Sequence, residues 1–600
     1  GEAYRHTGYG IIRFMSTKKI QRLPLGNADF KSIRTENYFY VDKTRYIELL
    51  EQEHNKNQIF IRPRRFGKSL FLSTLLYYYD INYANEFDQL FGDLYIGQRP
   101  TPEKNSYAVL KFDFSGLNAL GGADAFIASF CKKVRSAIRD FLLLHKNIFS
   151  KAEQIVDQIN KEQPDLSILD WAFTIARDAN TKIFVIIDEY DHFATDLAKL
   201  GVAGGNDFYA TMVKSNGLVR SFYAVIKSAS AASIVDRTFI TGISPVMLDD
   251  LTSGYNIATN YSLDKQYNEM LGFTRDEVEI LMKGTGVDAN LINIDMEYYY
   301  NGYLFNESGK DKVYNSSMIL YFFSQILKTE EPPQSLIDPN LGIDVSRLRH
   351  LTQKESNRNT LIQILTENSI VSNILVNFST DPLDNEESSF VSLLFYMGFL
   401  TIKESYLDEL RLVIPNFSIQ TVYWGYMRQL VKESSPDTTV EEKMLKEAVN
   451  ALAMEGDLYR FIDYVSKNAF SKLSDYDLQY FNEKYIKMLL LAYLFLKSVY
   501  IPISEYEVDS GRIDIFLQRN PKFPEINYEW VLELKYCKTT AKESEIAEKR
   551  REGLEQLNKY IQSHHLKNRP NLKSALIIFI GKNKYEIITE GIETESRVQI

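Results

Sequence analysis

The sequence predicts a multidomain α/β protein: a helix-flanked parallel sheet in front, a helical middle and a mixed α/β unit at the back. Three observations carry that expectation. Over residues 15–250 short apolar runs alternate with helical patterns, as in a parallel sheet with helices on both faces. Amphipathic stretches then dominate residues 252–435. From residue 500 onward, three strand-like runs follow one another before a final helix and strand.

With 600 residues, the chain needs at least three folding units of the usual roughly 100–200 residues. Hydrophobic residues at 45% and charged residues at 25% exclude collagen-like, mucin-like and disordered classes. Cys131 and Cys537 stand alone, without spacing for a disulfide framework or a zinc site, which points to a reducing, cytoplasmic setting. The longest apolar run, 488–496, is far short of the ~20 residues a membrane span needs, so no membrane contact is expected. Residues 1–14 lack the layout of a signal peptide and read as a leftover before a natural start at Met15. A net charge of -10 argues against a wholly basic nucleic-acid-binding surface. It leaves room for a local patch over 541–573, where eight Lys or Arg, including Lys542, Lys549, Arg550 and Arg551, meet five Glu. A charge-mixed solvated helix is the other reading of that stretch.

The front strands are expected at 58–61, 107–114, 183–187 and 238–240. The first leads into Arg62-Pro63-Arg64-Arg65-Phe66-Gly67-Lys68-Ser69 and a helical run, the strand–loop–helix of a P-loop. Backbone amides about Gly67 and the helix N-terminus would cradle phosphates, Lys68 would reach the β/γ-phosphates, and Ser69 would hold Mg²⁺. Arg62 occupies the place of the first glycine of GxxxxGK[ST], so a basic surface turn is the competing reading. The strand at 183–187 runs into Asp188-Glu189-Tyr190-Asp191, placing carboxylates at the sheet edge where ligands bind. Asp188 would bind Mg²⁺ and Glu189 would polarise an attacking water, against the alternative of a helix cap. Thr241 and Ser244, after a later strand, are candidate γ-phosphate sensors; Arg64 and Arg65 are candidate phosphate contacts.

These stretches, with Leu23-Pro24-Leu25-Gly26, Asn37-Tyr38-Phe39-Tyr40-Val41-Asp42-Lys43-Thr44, Tyr300-Asn301-Gly302-Tyr303 and Val313-Tyr314-Asn315, resemble the AAA-ATPase-like family of bacterial proteins. The resemblance spans most of the first 320 residues. It implies ATP binding by a unit at 15–250 with a helical lid at 251–330, and it makes Arg62 a family trait. Residues 331–435 read as a helical, winged-helix-like unit, with a β-ribbon at 399–402 and 410–414.

At the back, Gly511-Arg512-Ile513-Asp514-Ile515-Phe516-Leu517 and Tyr528-Glu529-Trp530-Val531-Leu532-Glu533-Leu534-Lys535-Tyr536 both alternate as strands do. Glu533 and Lys535 share a face, while Asp514 interrupts an apolar strand, where a charge needs a partner or a metal. Two carboxylates on neighbouring strands can hold Mg²⁺ or Mn²⁺, with Lys535 orienting the attacking water. A structural ion pair across a hairpin is the alternative. The layout from 481 to 581 resembles the PD-(D/E)XK nuclease superfamily, which implies a restriction-endonuclease-like domain at 436–600. Asp514, Glu533 and Lys535 fall on its catalytic positions, and Glu483, Gln556 and Tyr560 on accessory ones; Glu483 is a candidate third acid of the metal site, against the alternative of a solvated helix glutamate, with Glu505 a weaker rival for that role. The pair His564-His565 reads as surface. Together the two resemblances imply a nucleotide-regulated, Mg²⁺-dependent nuclease acting on DNA. An ATPase switch that binds nucleic acid or protein through an inactive nuclease fold is the alternative. A homo-oligomer, and a role in defence against foreign DNA or in mobile-element processing, are compatible with either.

Overall fold

The structure, a computed structural model, describes residues 20–589 apart from 118–120, 195–211, 214–216, 246–247, 249–255, 334, 336–347, 350, 377–386 and 497–498. Residues 1–14 thus lie outside the described part. In front, β1 (Asn57–Ile61), β2 (Ala108–Asp113), β3 (Ile183–Asp188), β4 (Val235–Gly242) and β5 (Thr259–Asn260) form one parallel sheet in the order β2-β3-β4-β1-β5. Every residue of β3 is buried, as a strand covered on both faces requires. β4 lies between β1 and β3, and because all strands run parallel, the motifs after β1 and β3 meet at one edge. Helix α1 (Lys68–Tyr79) starts at that edge directly after the loop.

The segment after the sheet contains helix Arg275–Thr285, opened by a Thr274/Glu277 capping box, and α2 (Ser316–Thr329), capped by Asn315. Next come helix Glu355–Glu367, β6 (Ile370–Ser372), helix Glu387–Tyr396, and the hairpin β7 (Thr401–Tyr406) and β8 (Glu409–Val413). The hairpin is the expected ribbon. It gains a third strand, β6, whose three residues are too few to show a period in the sequence.

Helix α3 (Phe417–Ser434) links front to back. Its cap Asn416 donates from Nδ2 to Asn301 O (2.9 Å), and Ser418 donates from Oγ to Tyr299 O (2.7 Å). Gly302, at φ 108°, lies so close that a Cβ there would stand 2.2 Å from Pro415 O, so the Asn-Gly-Tyr run needs its glycine. On its other side α3 packs on α4 (Glu483–Leu494), and Phe417 and Trp424 pack edge-on and tilted against Phe495 with centroids 5.4 and 5.3 Å away. Residues 485–494 of α4 are all buried between α3 and the rear sheet, which is why the run is apolar nearly all round. Lys487 is the charged exception within it.

The rear sheet has β9 (Tyr500–Val508), β10 (Gly511–Arg519), β11 (Glu529–Cys537), β12 (Leu572–Ile580) and β13 (Lys584–Thr589) in the order β13-β12-β11-β10-β9. Only β11 and β12 pair in parallel, joined by the crossover helix α5 (Glu543–Ile561). Among the described residues no helix is long and apolar enough to cross a membrane.

Candidate nucleotide and nuclease sites

At the front edge the backbone makes the phosphate cradle. Gly67 (φ 90°) and Arg65 (φ 69°) both take left-handed conformations, and α1 begins at once with Lys68 and Ser69. The Lys68 ammonium is buried and donates to Arg62 O (3.0 Å) and Pro63 O (2.9 Å). Burial lowers its pKa against the opposing pull of Glu189, Asp188 and Asp191. Ser69 Oγ donates to Asp188 Oδ2 (2.8 Å), joining the two motifs across the edge. Asp188 Oδ1 is buried with no hydrogen-bond partner. Burial raises the pKa of this carboxyl, and Glu189 adds to the rise, as expected of a group arranged to meet a cation. Ser69 Oγ and Asp188 therefore form an oxygen donor set fitted to the Mg²⁺ of a nucleotide.

Glu189 sits at φ 53°, a strained conformation for a glutamate, 3.4 Å from His192 Nδ1. Burial would raise its pKa, but His192, Lys68 and Arg64 hold it below the usual range, so it remains ionised. Lys68, Ser69, Arg64, Arg65, Asp188 and Glu189 line one cavity of about 510 Å³. Thr241 and Ser244 stay outside it. The Thr241 hydroxyl is spent on Phe60 O (2.6 Å) and the Ser244 hydroxyl on Asp191 Oδ2 (3.1 Å), so both brace strand ends and neither faces the cavity as a phosphate sensor should. Asp191 also accepts from the amides of Ile243 and Ser244 and is structural.

Arg62 explains its own place in the loop. Its φ is not left-handed, so the position makes no demand for glycine. The buried guanidinium turns away from the cavity, donates to Ser262 O (2.5 Å) and Tyr267 O (2.8 Å), and lies over the rings of Phe60 and Phe305 at 4.3 and 3.9 Å. Arg62→Gly, which restores the familiar motif, is expected to lower stability by about 3 kcal/mol by orphaning these carbonyls. It should not tighten ATP binding; urea unfolding and nucleotide titration check the two parts.

Other lining residues had no role assigned from sequence. Gly26, Phe39, Tyr40 and Val41 wall one side, and Phe273, Leu281 and Leu320 another. The signal lay in the Leu-Pro-Leu-Gly and Asn-to-Thr runs, which are rich in apolar residues outside any strand or helix period. The Val-Tyr-Asn run also has a function: Asn315 Nδ2 donates to Arg64 O (3.3 Å), Ser316 Oγ to Arg65 O (3.0 Å) and Ser317 N to Arg65 O (3.1 Å). Asp113, in register with Asp188, reaches the same cavity.

At the rear, β10 and β11 bring Asp514, Glu533 and Lys535 together. Asp514 Oδ2 accepts from Leu534 N (2.9 Å), which fixes the carboxylate against the neighbouring strand. Lys535 Nζ donates to Glu533 Oε1 (2.7 Å), while Glu533 Oε2 is buried without a partner. Among the described residues no three His, Cys, Asp or Glu side chains converge on one point. The donor set is thus two carboxylates, which fits a hard cation that keeps waters and shares phosphate oxygens with a substrate. Glu483 is half-buried, and burial and Asp514 raise its pKa against the pull of Lys535. Gln556 and Tyr560 lie one turn apart on α5; Gln556 Oε1 is unpartnered, and burial together with Glu533 and Asp514 pushes Tyr560 up to about 12. Glu505 pairs with Lys487. The basic residues of α5 are largely neutralised in place, Lys549 by Glu552, Arg550 by Glu586 and Glu543, Arg551 by Glu548 and Glu555. His564 and His565 lie on the surface near Asp509.

Burial beside Asp514 pushes Glu533 up to about 8 from its ordinary 4.5. The fold therefore holds a proton there that the unfolded chain has lost, so this group's ionisation works against the metal-free fold as pH climbs from 4.5 to 8. A cation needs the ionised form. Mn²⁺ affinity is expected to rise by nearly tenfold per pH unit up to about 8 and then level off, as titrations at three pH values will read.

Residues 24–252 match the AAA-ATPase-like family, described as "Predicted AAA-ATPase", and residues 481–589 match the PD-(D/E)XK nuclease superfamily. An uncharacterised protein from the vnfD 5′ region of Azotobacter chroococcum mcd 1 is 26% identical over 453 residues, 74% of either chain. The Walker-type ATPase PABY2304 of Pyrococcus abyssi aligns at a TM-score of 0.39 and 13% identity over 65% of this chain and 97% of its own. The chain carries an AAA-ATPase-like domain in front and a PD-(D/E)XK nuclease superfamily domain at its C-terminal end.

Proposed function

We propose that the protein hydrolyses DNA phosphodiester bonds with Mg²⁺ or Mn²⁺ and that ATP bound at the front site regulates this activity. The observation that carries the reading is the set of Asp514 and the buried Glu533 and Lys535, with one Glu533 oxygen left open. Ionising a carboxyl so buried and incompletely partnered is costly unless a ligand completes it. The cation, held by Asp514 and Glu533, would supply charge for the phosphate oxygens and acidify a bound water. Lys535, anchored by Glu533, orients the attacking water and carries positive charge toward the phosphate. Gln556 and Tyr560 offer polar groups from α5 to the backbone of the nucleic acid, and Glu483 stands by as a further acid.

In front, Lys68 would leave its two loop carbonyls for the phosphates, Ser69 and Asp188 would hold the nucleotide's cation, and Glu189 would orient the hydrolytic water. Regulation rests on a chain of contacts. The loop carbonyls bind Asn315, Ser316 and Ser317; Tyr303 meets Phe66 edge to face (4.9 Å) and donates to Gly398 O (3.1 Å); Tyr299 and Asn301 bind the start of α3; and α3 packs on α4, which carries Glu483. An intracellular setting suits this chemistry, since both cysteines are free thiols.

A second reading, a nucleotide switch that binds a partner without cutting it, draws on the self-neutralised cations of α5. Incubating the protein with DNA and Mg²⁺ or Mn²⁺, with and without ATP, decides between them. Metal-dependent cleavage that shifts with ATP supports the first reading. Metal binding without cleavage under any nucleotide supports the second.

A further inference from the structure

Within the buried run of α4, Lys487 lies one turn after Glu483, and its side chain is 8% exposed. Its ammonium is 3.5 Å from Asp514 Oδ1 and is ion-paired with Glu505. The backbone at Glu505 is left-handed. Strand β9 pairs Tyr506 with Ile513 and Ser504 with Ile515, so Glu505 lies opposite Asp514, and it does so at φ 54°. A glutamate in a left-handed conformation inside a strand is strained, and the strain here turns a second carboxylate toward the lysine. Asp514 is thereby held on both oxygens, by the amide of Leu534 and by the ammonium.

We infer that Lys487 is a built-in counter-cation of the nuclease site: a positioning residue that holds Asp514 ready before a divalent ion binds and, by its charge, keeps that binding weak. The inference rests on the nuclease reading of Asp514 and Glu533. Its physical basis is simple. An ammonium 3.5 Å from a ligand oxygen neutralises part of the field that draws the ion in, and repels the ion once it arrives. Removing the charge uncovers Asp514 and Glu505 together, so a neutral side chain should bind metal more tightly, whereas a lysine with a purely packing role should leave affinity unchanged or reduce it.

The test is Mn²⁺ binding by the full chain, followed by the loss of the free-ion electron paramagnetic resonance signal, with the front site common to all versions. Lys487→Met and Lys487→Gln are each expected to tighten the rear-site Kd by about tenfold, and Lys487→Arg to stay near the wild-type value. Unchanged or weaker binding in both neutral versions overturns the inference. So does a failure of both to fold in saturating Mn²⁺, because a divalent ion should replace the missing ammonium. Asp514→Ala separates the two layers: if it leaves Mn²⁺ binding intact, the site itself is misassigned; if it removes binding while Lys487→Met changes nothing, only the counter-cation role fails.

Discussion

Asp514→Ala is expected to lower metal-dependent DNA cleavage on the order of a thousandfold while leaving the fold in place. Asp514 sits in the middle of β10 between the fully buried Ile513 and Ile515, and its carboxylate has two partners, Leu534 N and Lys487. Truncation removes one of the two carboxylates of the donor set, so a cation would keep only Glu533 of that pair. The fold should tolerate the loss because Lys487 retains Glu505, and Glu533 is relieved of a like charge that raises its pKa. Glu533→Gln should be as severe for cleavage. Residual cleavage within tenfold of wild type in either version, in a plasmid-nicking assay at saturating Mn²⁺, sinks the assigned chemistry. Circular dichroism checks that the protein remains folded.

The residues that announced themselves in the sequence are those whose chemistry conflicts with their surroundings. Asp514 breaks an apolar strand, and the acids after β3 end a run of five apolar residues, so patterning alone exposes them. Arg62 departs from the usual phosphate-loop pattern. Its reason is three-dimensional: the partners Ser262 and Tyr267 lie some two hundred residues away, beyond the reach of any local pattern. Thr241 was placed near the phosphates by strand polarity, which fixes the edge at which a residue lies. It does not fix which way a side chain turns, and this one turns to Phe60 O. Strand β6 and the two-residue β5 are too short to carry a period, and β13 follows β12 after a tight turn that the apolar count did not resolve. Lys487 escaped for another reason, and Glu505 was named only as a rival metal-site acid and not as the partner of a lysine. A lysine in an amphipathic helix and a glutamate in a polar strand are each unremarkable, and only the fold brings them onto Asp514.

Lys68→Ala is expected to weaken ATP binding roughly a hundredfold and to abolish any effect of ATP on cleavage, while cleavage without nucleotide continues. The loop's other anion-binding parts, the left-handed Gly67 and the start of α1, are backbone features that survive the substitution, so some affinity remains. The resting contacts of Lys68 predict a modest structural cost. Its ammonium occupies Arg62 O and Pro63 O, and the loop is held independently by Asn315, Ser316 and Ser317 at the start of α2 and by Gly272 N on Phe66 O (3.0 Å). Those same bonds make Lys68 a fit reporter of coupling: a phosphate that draws the ammonium away from two loop carbonyls would change the loop to which the start of α2 is bonded. Titration with a fluorescent ATP analogue gives the affinity, and the nicking assay with and without ATP gives the coupling. An ATP response that persists in Lys68→Ala at nucleotide concentrations below its new Kd would place regulation outside this loop and break the proposed path from α1 through α3 to α4.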